Sequence, residues 1–379
     1  MKNIKLTISV LCALVSAASA AVITPDMSSL AIYAGKDLWL GSGSVVNADI
    51  AAVGSITTGS GTQLKGLYTE NLIWLSKDNK VNGRVLANLA AEASKNLEFT
   101  GPSWTGKSVY MDSGANVTGD IIAGAGNLEL NTKAVITGNL NGNDDIWIGN
   151  YGQVSGDASP GLQGKLSTGK KVTIGGSTDP SYAAYDTVSL DSMGPAPDVH
   201  SYGSQNIYGG NKAVMDLSAG DYKDVDMWGT KTQLNLSSGT YTLRDFWVGN
   251  QGTVNVDATA GDVVLNVHKS FSVGNDVTFN VLGEGQFAVN VFEDNVNLGN
   301  NVDLAAQIRA WGGDVNTGDD LAFLGTIQAA GGVSIGSRGA VTYSKQTPEP
   351  TTAMLLALGA VTILWEERRK HRHIRGGLV

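Results

Sequence analysis

One spacing recurs along this chain of 379 residues and constrains its fold more than any other feature. An aliphatic residue, usually followed by glycine, has a second aliphatic residue six positions later, as in Leu40-Gly41 with Val46 and Ile148-Gly149 with Val154. Further copies begin at Leu75, Met111, Leu130, Trp228, Val248, Val273, Leu298 and Ile335. A constant inner spacing that returns at intervals predicts a repeated structural unit.

The distances between copies give the size of that unit. Successive copies are 35, 36, 19 and 18 residues apart between Leu40 and Ile148, and 20, 25, 25 and 37 apart between Trp228 and Ile335. A step near 36 is two turns of a coil of about 18 residues. Short alternating aliphatic runs and 49 glycines favour brief strands joined by tight bends. We therefore predict an all-β fold, a parallel β-helix or β-solenoid of roughly 18–25 residues per turn and about 60–70 Å long.

The repeat also suggests an order of segments. Residues 1–20 form a signal peptide, 21–176 a first solenoid block, 177–205 a linker or long loop rich in proline, 206–345 a second block, and 346–379 a sorting tail. Asparagines at the expected bends suit turns, because they tolerate left-handed φ and bond their own backbone. Residues 85–96 also suit a helix, and the sequence leaves that segment open.

The N-terminus has the pattern of a secretory signal. Lys2 and Lys5 precede an apolar stretch, which we expect to be helical, and Ala18 and Ala20 place cleavage before Ala21. Cys12, the only cysteine, lies inside this segment, so the mature chain would hold neither thiol nor disulfide. With both termini removed, 19 basic residues face 32 acidic ones, a net charge of −13. Such a chain is a poor nucleic-acid binder.

The C-terminus carries three features in a fixed order. Pro348, Glu349 and Pro350 precede an apolar run from Ala353 to Trp365, and a basic tail follows that includes Arg368, Arg369, Lys370 and Arg372. The apolar run would make a helix of about 20 Å, too short for a stable membrane span. This order resembles the PEP-CTERM sorting signal of Gram-negative exopolysaccharide-producing bacteria, whose members are surface or matrix proteins. The resemblance implies export across the inner membrane, transient anchoring there by the C-terminal helix, and an exosortase-type processing enzyme as partner.

The second block has a resemblance of its own. The phrases Leu217-Ser218-Ala219-Gly220-Asp221-Tyr222 and Leu236-Ser237-Ser238-Gly239-Thr240-Tyr241, with the repeats after them, resemble an uncharacterised β-helical domain of bacterial surface and pilus-associated proteins. This likeness covers about 140 residues and agrees with the solenoid prediction.

Aromatic residues occupy one position of the repeat. Each precedes the first aliphatic residue and has apolar neighbours on both sides, so strand alternation should direct it outward. The resulting stripe would consist of Trp39, Trp74, Tyr110, Trp147 and Trp247. It could stack on sugar rings or meet a partner, or it could be covered by loops or packed on itself.

Catalytic and metal-binding signals are weak. Asn143-Asp144-Asp145 offers paired carboxylates, but His200 and His268 are the only histidines of the expected mature chain and neither has a triad-like setting. Calcium could bind Asp221, Asp224 and Asp226, or Asp314, Asp319 and Asp320, although neither group has a calcium-loop spacing. We expect no catalytic residues, metal or cofactor.

These observations favour a non-enzymatic, exported structural or adhesive protein of the cell surface or extracellular matrix, associated with polysaccharide. Two alternatives stay open. One is a carbohydrate-active enzyme built on the same rod, and the other is a scaffold that associates end to end through open solenoid edges.

Overall fold

The computed structural model describes residues 20–344, and over this range the chain winds as a parallel β-solenoid. Its only helix in the described range is a 3-10 turn, Met27–Ser29. No helix between residues 20 and 344 is long and apolar enough to cross a membrane. The expected signal helix and C-terminal anchor helix fall on residues outside the described range.

The strands are short and numerous. Before and within the first half of the solenoid they are β1 (Val22–Ile23), β2 (Ile32–Ala34), β3 (Leu38–Leu40), β4 (Val45–Val46), β5 (Ile50–Ala52), β6 (Ile56–Thr58), β7 (Gln63–Leu64), β8 (Leu67–Thr69), β9 (Ile73–Leu75), β10 (Lys80–Val81), β11 (Val85–Ala87), β12 (Ala90–Ala93), β13 (Glu98–Gly106), β14 (Ser108–Met111), β15 (Asn116–Ala123), β16 (Leu128–Leu130), β17 (Val135–Thr137), β18 (Leu140–Gly142), β19 (Ile146–Ile148), β20 (Gln153–Val154), β21 (Ala158–Ser159), β22 (Leu166–Thr168) and β23 (Thr173–Ile174).

The remaining strands are β24 (Thr187–Val188), β25 (Ile207–Tyr208), β26 (Val214–Leu217), β27 (Gly220–Asp221), β28 (Asp224–Met227), β29 (Gln233–Ser237), β30 (Gly239–Leu243), β31 (Asp245–Val248), β32 (Thr253–Asp257), β33 (Val263–Val267), β34 (Phe271–Val273), β35 (Thr278–Leu282), β36 (Phe287–Val291), β37 (Val296–Leu298), β38 (Asp303–Ala310), β39 (Val315–Thr317), β40 (Ala322–Ala329), β41 (Val333–Ile335) and β42 (Ala340–Thr342). Residues 85–96, left open by the sequence, contain the two strands β11 and β12.

Each full turn passes through three strand positions. The middle strand of every turn joins a 15-stranded parallel sheet, which we call the middle face. The two other positions form ladders that merge into a 25-stranded sheet, because long strands such as β13 and β38 bend from one ladder into the other. Turns of 17 residues (Thr58 to Leu75) to 25 residues (Val248 to Val273) stack in register.

The order of turns along the axis differs from the order in the chain. β2, β3 and β4 pair on one side with β5, β6 and β7, and on the other side with β40, β41 and β42. The last turn of the second half therefore stacks on the first turn of the first half. Residues 32–174 and 207–342 form one continuous solenoid with this junction near its middle, about 70 Å long at ~4.8 Å per turn.

The segment 177–205, which we call the strap, returns along the outside of the rod. Its residues contact turns in reverse chain order, so the strap connects the two far ends of the solenoid. The contacts are Ser181 with Pro160, Ala183 with Asn143, Val188 with Asn88, Leu190 with Glu70, and His200 with Asp221 and Thr242.

One bend accounts for the constant spacing of six. Three or four residues after each middle strand, the chain passes through a left-handed residue such as Gly43, Asp78 or Gln251. The next aliphatic side chain that points into the core then follows six residues after the last buried residue of the middle strand, as Val46 follows Leu40. Turns that the sequence pattern missed keep this spacing but have Thr58 or Ala93 in place of the first aliphatic residue.

Asparagines next to this bend were expected to adopt left-handed φ and to bond their own backbone, and three of them do neither. The left-handed residue follows them, and their side chains bond the next turn instead of their own backbone. Asn250 Oδ1 accepts from the Asn275 N–H, Asn275 Oδ1 from the Asn300 N–H, and Asn300 Oδ1 from the Asp319 N–H, each at 2.8 Å. The series is a side-chain ladder parallel to the axis.

Candidate binding face

The middle face presents side chains outward at a single position per turn. In β3, β9 and β19 the first and third residues are buried and the second is exposed, as alternation along a strand requires. All five predicted stripe residues occupy the equivalent exposed position between two buried residues, which is the third residue in the four-residue strands β14 and β31. Their exposed fractions are 44% for Trp39, 52% for Trp74, 38% for Tyr110, 40% for Trp147 and 41% for Trp247. All five side chains are therefore accessible to solvent.

Strand register places these residues in one column. From the junction toward the end of the first half, the outward positions are Trp39, Thr57, Trp74, Glu92, Tyr110, Glu129, Trp147 and Ser167. Aromatic and non-aromatic residues alternate without exception over these eight turns. Since adjacent turns are ~4.8 Å apart, successive rings are spaced by about 10 Å.

The column continues into the second half with a different pattern. From the junction outward, Ser334, Asn316, Asn297 and Ser272 form a polar stretch, and then Trp247, Asp226 and Tyr208 restore the alternation. Tyr208 is 58% exposed and was not among the predicted stripe residues. Only one of its flanks, Ile207, resembles those of the other rings, and Gly209 stands where they have a second apolar side chain, so the pattern did not identify Tyr208.

An open depression lies around Tyr110. It has a volume of about 400 Å³ and is lined by Ala90, Glu92, Ser108, Val109, Tyr110, Asn127 and Glu129. The two carboxylates belong to the turns on either side of the ring. The depression therefore combines an aromatic surface with hydrogen-bond acceptors, the combination that carbohydrate sites use.

A second polar cluster surrounds Asp226. Arg244 binds Asp224 at 2.8 Å and Asp245 at 2.9 Å, but one carboxylate oxygen of Asp224 and one of Asp226 are buried without a hydrogen-bond partner. Burial, and to a smaller degree the charge of Asp224, raise the pKa of Asp226. This carboxyl group is consequently poised to take up a proton more readily than an ordinary aspartate.

Five of the six predicted calcium ligands are engaged in other contacts, and Asp226 has the unpartnered oxygen described above. Asp221 binds His200, Asp224 binds Arg244, Asp320 binds Arg338, and Asp314 and Asp319 accept backbone N–H groups of the next turn. Among residues 20–344, no three His, Cys, Asp or Glu side chains are grouped as a metal site.

Two residues of the Asn143-Asp144-Asp145 sequence make structural contacts. Asp145 accepts the Lys165 N–H at 2.7 Å, and Asn143 holds the strap through Ala183. The histidines meet at the strap's far end, where His268 Nε2 lies 3.1 Å from the His200 carbonyl oxygen.

The predicted processing residues lie mostly outside the described range, namely Ala18, the Pro348-Glu349-Pro350 motif and the basic tail. Ala20 and Ala21 are described. The Ala21 backbone nitrogen donates to Asp186 of the strap at 3.1 Å, and β1 then pairs with β24.

No protein family, curated protein or solved structure matches this chain. Its function must therefore be inferred from the geometry of the column itself.

Proposed function

We propose that this protein is a non-enzymatic surface or matrix component that binds extracellular polysaccharide along the aromatic column of its middle face. The supporting observation is the register: Trp39, Trp74, Tyr110 and Trp147 form one exposed line instead of being scattered over the rod. Exposed aromatic rings aligned along one face are typical of interaction surfaces.

The residue types in the column are suited to binding sugars. Aromatic rings stack on the apolar faces of pyranoses, and the polar residues between them can bond hydroxyl groups. Each contact on such an open surface is weak, but several contacts on a rigid rod act together, so avidity can replace a deep pocket. The acidic balance of the chain disfavours nucleic acid as the partner.

Delivery to the matrix is the second part of the proposal. The signal peptide would export the chain across the inner membrane, and the PEP-CTERM-like tail would anchor it transiently until an exosortase-type enzyme processes it. The supporting features are the order of motif, short apolar run and basic tail in the sequence.

The binding test removes rings from the column. A variant with Trp39→Ala, Trp74→Ala and Trp147→Ala should lose about tenfold or more of its retention on insoluble polysaccharide, since avidity falls steeply with each lost contact. A matched control removes three exposed apolar side chains from another ladder, Val45→Ala, Val214→Ala and Leu282→Ala. Equal retention of the ring variant and the control, with both folded, would refute a binding role for the column.

End-to-end assembly is a second candidate function. In the described residues, the strands β21, β22 and β23 at one end and β25, β26 and β27 at the other pair on one side only. The internal junction already stacks two turns that do not follow each other in the chain. Sedimentation at increasing concentration should then reveal linear oligomers, and a purely monomeric protein would exclude this candidate.

A further inference from the structure

The aromatic column has a period of its own. In the first half, rings occur at every second turn from Trp39 to Trp147, and each intervening turn places a polar residue at the same position. The solenoid repeats at every turn, so this doubling does not come from the fold. It is a property of the surface and calls for a ligand with a matching repeat.

The length of the two-turn repeat restricts which ligands could match it. Two turns measure about 10 Å along the axis. In an extended β-1,4-linked hexose chain, successive sugars face opposite ways, so every second sugar presents the same face to a flat surface. The disaccharide is the repeat of such a chain, and its length is close to two turns of this solenoid. Coiled α-linked chains lack this straight, alternating geometry.

The residues between the rings restrict the charge of the ligand. Thr57, Glu92 and Glu129 occupy the positions where the alternate sugars would lie. Their oxygens can accept hydrogen bonds from hydroxyl or amide groups, whereas two carboxylates in the line would repel a uronic-acid chain. Lys77, Lys95 and Lys133 are exposed on the neighbouring bend, beside the column and not within it.

From this match we infer that the first half of the column binds an uncharged, extended β-1,4-linked polysaccharide that lies parallel to the solenoid axis, with one disaccharide per two turns. This inference rests on the proposed function and specifies its ligand. Trp39, Trp74, Tyr110 and Trp147 stack on every second sugar. Four rings span three disaccharide steps, so binding saturates at about seven or eight sugars.

The test changes the period while keeping the composition. Thr57→Trp combined with Trp74→Thr moves one ring by a single turn. The purified wild-type protein is titrated with cello- and N-acetylchito-oligosaccharides of two to eight units, and its affinity should rise with each added disaccharide. Malto-oligosaccharides and polygalacturonate, titrated in parallel, should bind more weakly. The shifted variant should bind the octasaccharide about tenfold more weakly, and Trp74→Ala should show a similar loss. Melting curves of both variants would establish that they fold.

The outcomes separate the two proposals. Wild-type affinity in the shifted variant, or no dependence on chain length, overturns the matched period even though the protein binds polysaccharide. Preference for malto-oligosaccharides or for polygalacturonate overturns the ligand class. Failure to bind any of these sugars, in a folded wild-type protein, counts against the proposed function itself.

Discussion

At the scale of single residues, the middle face has one outward position per turn, and the two residues that flank it are fixed by the core. The flanking residues of Trp39 and Trp147 are buried and pack inside the solenoid. The second residue is free to vary, and the chain places aromatic rings, carboxylates, hydroxyls and amides there. Asp226 is the outward residue whose carboxylate has a buried oxygen without a hydrogen-bond partner.

Replacement of Asp226 by asparagine should stabilise the protein at neutral pH. Its pKa in the folded protein is raised by burial, above an unfolded value of about 3.9, so the ionised form is disfavoured by folding. The free-energy cost of keeping Asp226 ionised in the folded protein is present at pH 7. It disappears once the carboxyl group is protonated in both the folded and the unfolded protein. The Tm of Asp226→Asn should therefore exceed that of the wild type at pH 7 and approach it below about pH 4. Asp198→Asn, on the exposed strap, serves as a control; a lower Tm for Asp226→Asn at pH 7 would contradict the argument.

At the scale of elements, the strands and bends were largely predictable. The spacing of six followed from one repeated bend, and the five rings that alternation directs outward are exposed. The pattern was misplaced at Trp228, because an additional residue separates Met227 from Leu234, and Trp228 lies just beyond its strand. Turns with Thr58 or Ala93 were missed, since a buried threonine or alanine at these positions carries no aliphatic signal.

Inside the second half, stacked phenylalanines link neighbouring turns. The rings of Phe246 and Phe271 are parallel, with centroids 4.8 Å apart, and Phe279 lies 6.4 Å from Phe271. All three are buried. Phe271 is in register with Phe246 on one neighbouring turn and with Val296 on the other, whereas Phe279 belongs to the same turn as Phe271. The Phe271 ring therefore contributes to packing between turns, as expected of a structure in which neighbours provide most contacts.

Truncation of this stack should be costly and local. Phe271→Ala should lower the free energy of unfolding by about 3–5 kcal/mol, because it leaves a cavity between turns. Hydrogen exchange should accelerate most in β31, β34 and β37. Tyr208→Ala removes an exposed ring and should change stability by less than about 0.5 kcal/mol. Similar effects of the two substitutions would indicate that the stack contributes little.

At the scale of the whole molecule, the sequence did not indicate how the halves join. Nothing distinguishes residues 322–342 or 32–46 from the other repeats, so the pattern could not show that these two turns stack on each other. The strap lacks the repeat, and its path along the rod depends on separate contacts such as those of Leu190 and Met193 with the Leu30, Tyr33 and Ala51 cluster. At the junction, near the middle of the rod, the Tyr343 hydroxyl donates to the Ser28 carbonyl oxygen at 2.6 Å.

Cleavage of the strap should leave the two halves together. A protease site inserted after Gly194, which is exposed and has open space around it, interrupts the only covalent link between the halves in the described range. Three ladders and a continuous core cross the junction, so the nicked fragments should elute as one species under native conditions and separate in denaturant. Native elution as two separate fragments would show that the junction is weak.

Hydroxyl-radical footprinting would show whether polysaccharide lies along the aromatic column. Hydroxyl-radical oxidation followed by mass spectrometry should show Trp39, Trp74, Tyr110 and Trp147 protected together when a β-1,4-linked octasaccharide is bound. Trp228, which is 55% exposed outside the column, should be oxidised equally with and without the sugar. If saturation with the sugar leaves the oxidation of Trp39, Trp74, Tyr110 and Trp147 unchanged, or protects only Trp228, the polysaccharide does not lie along the column.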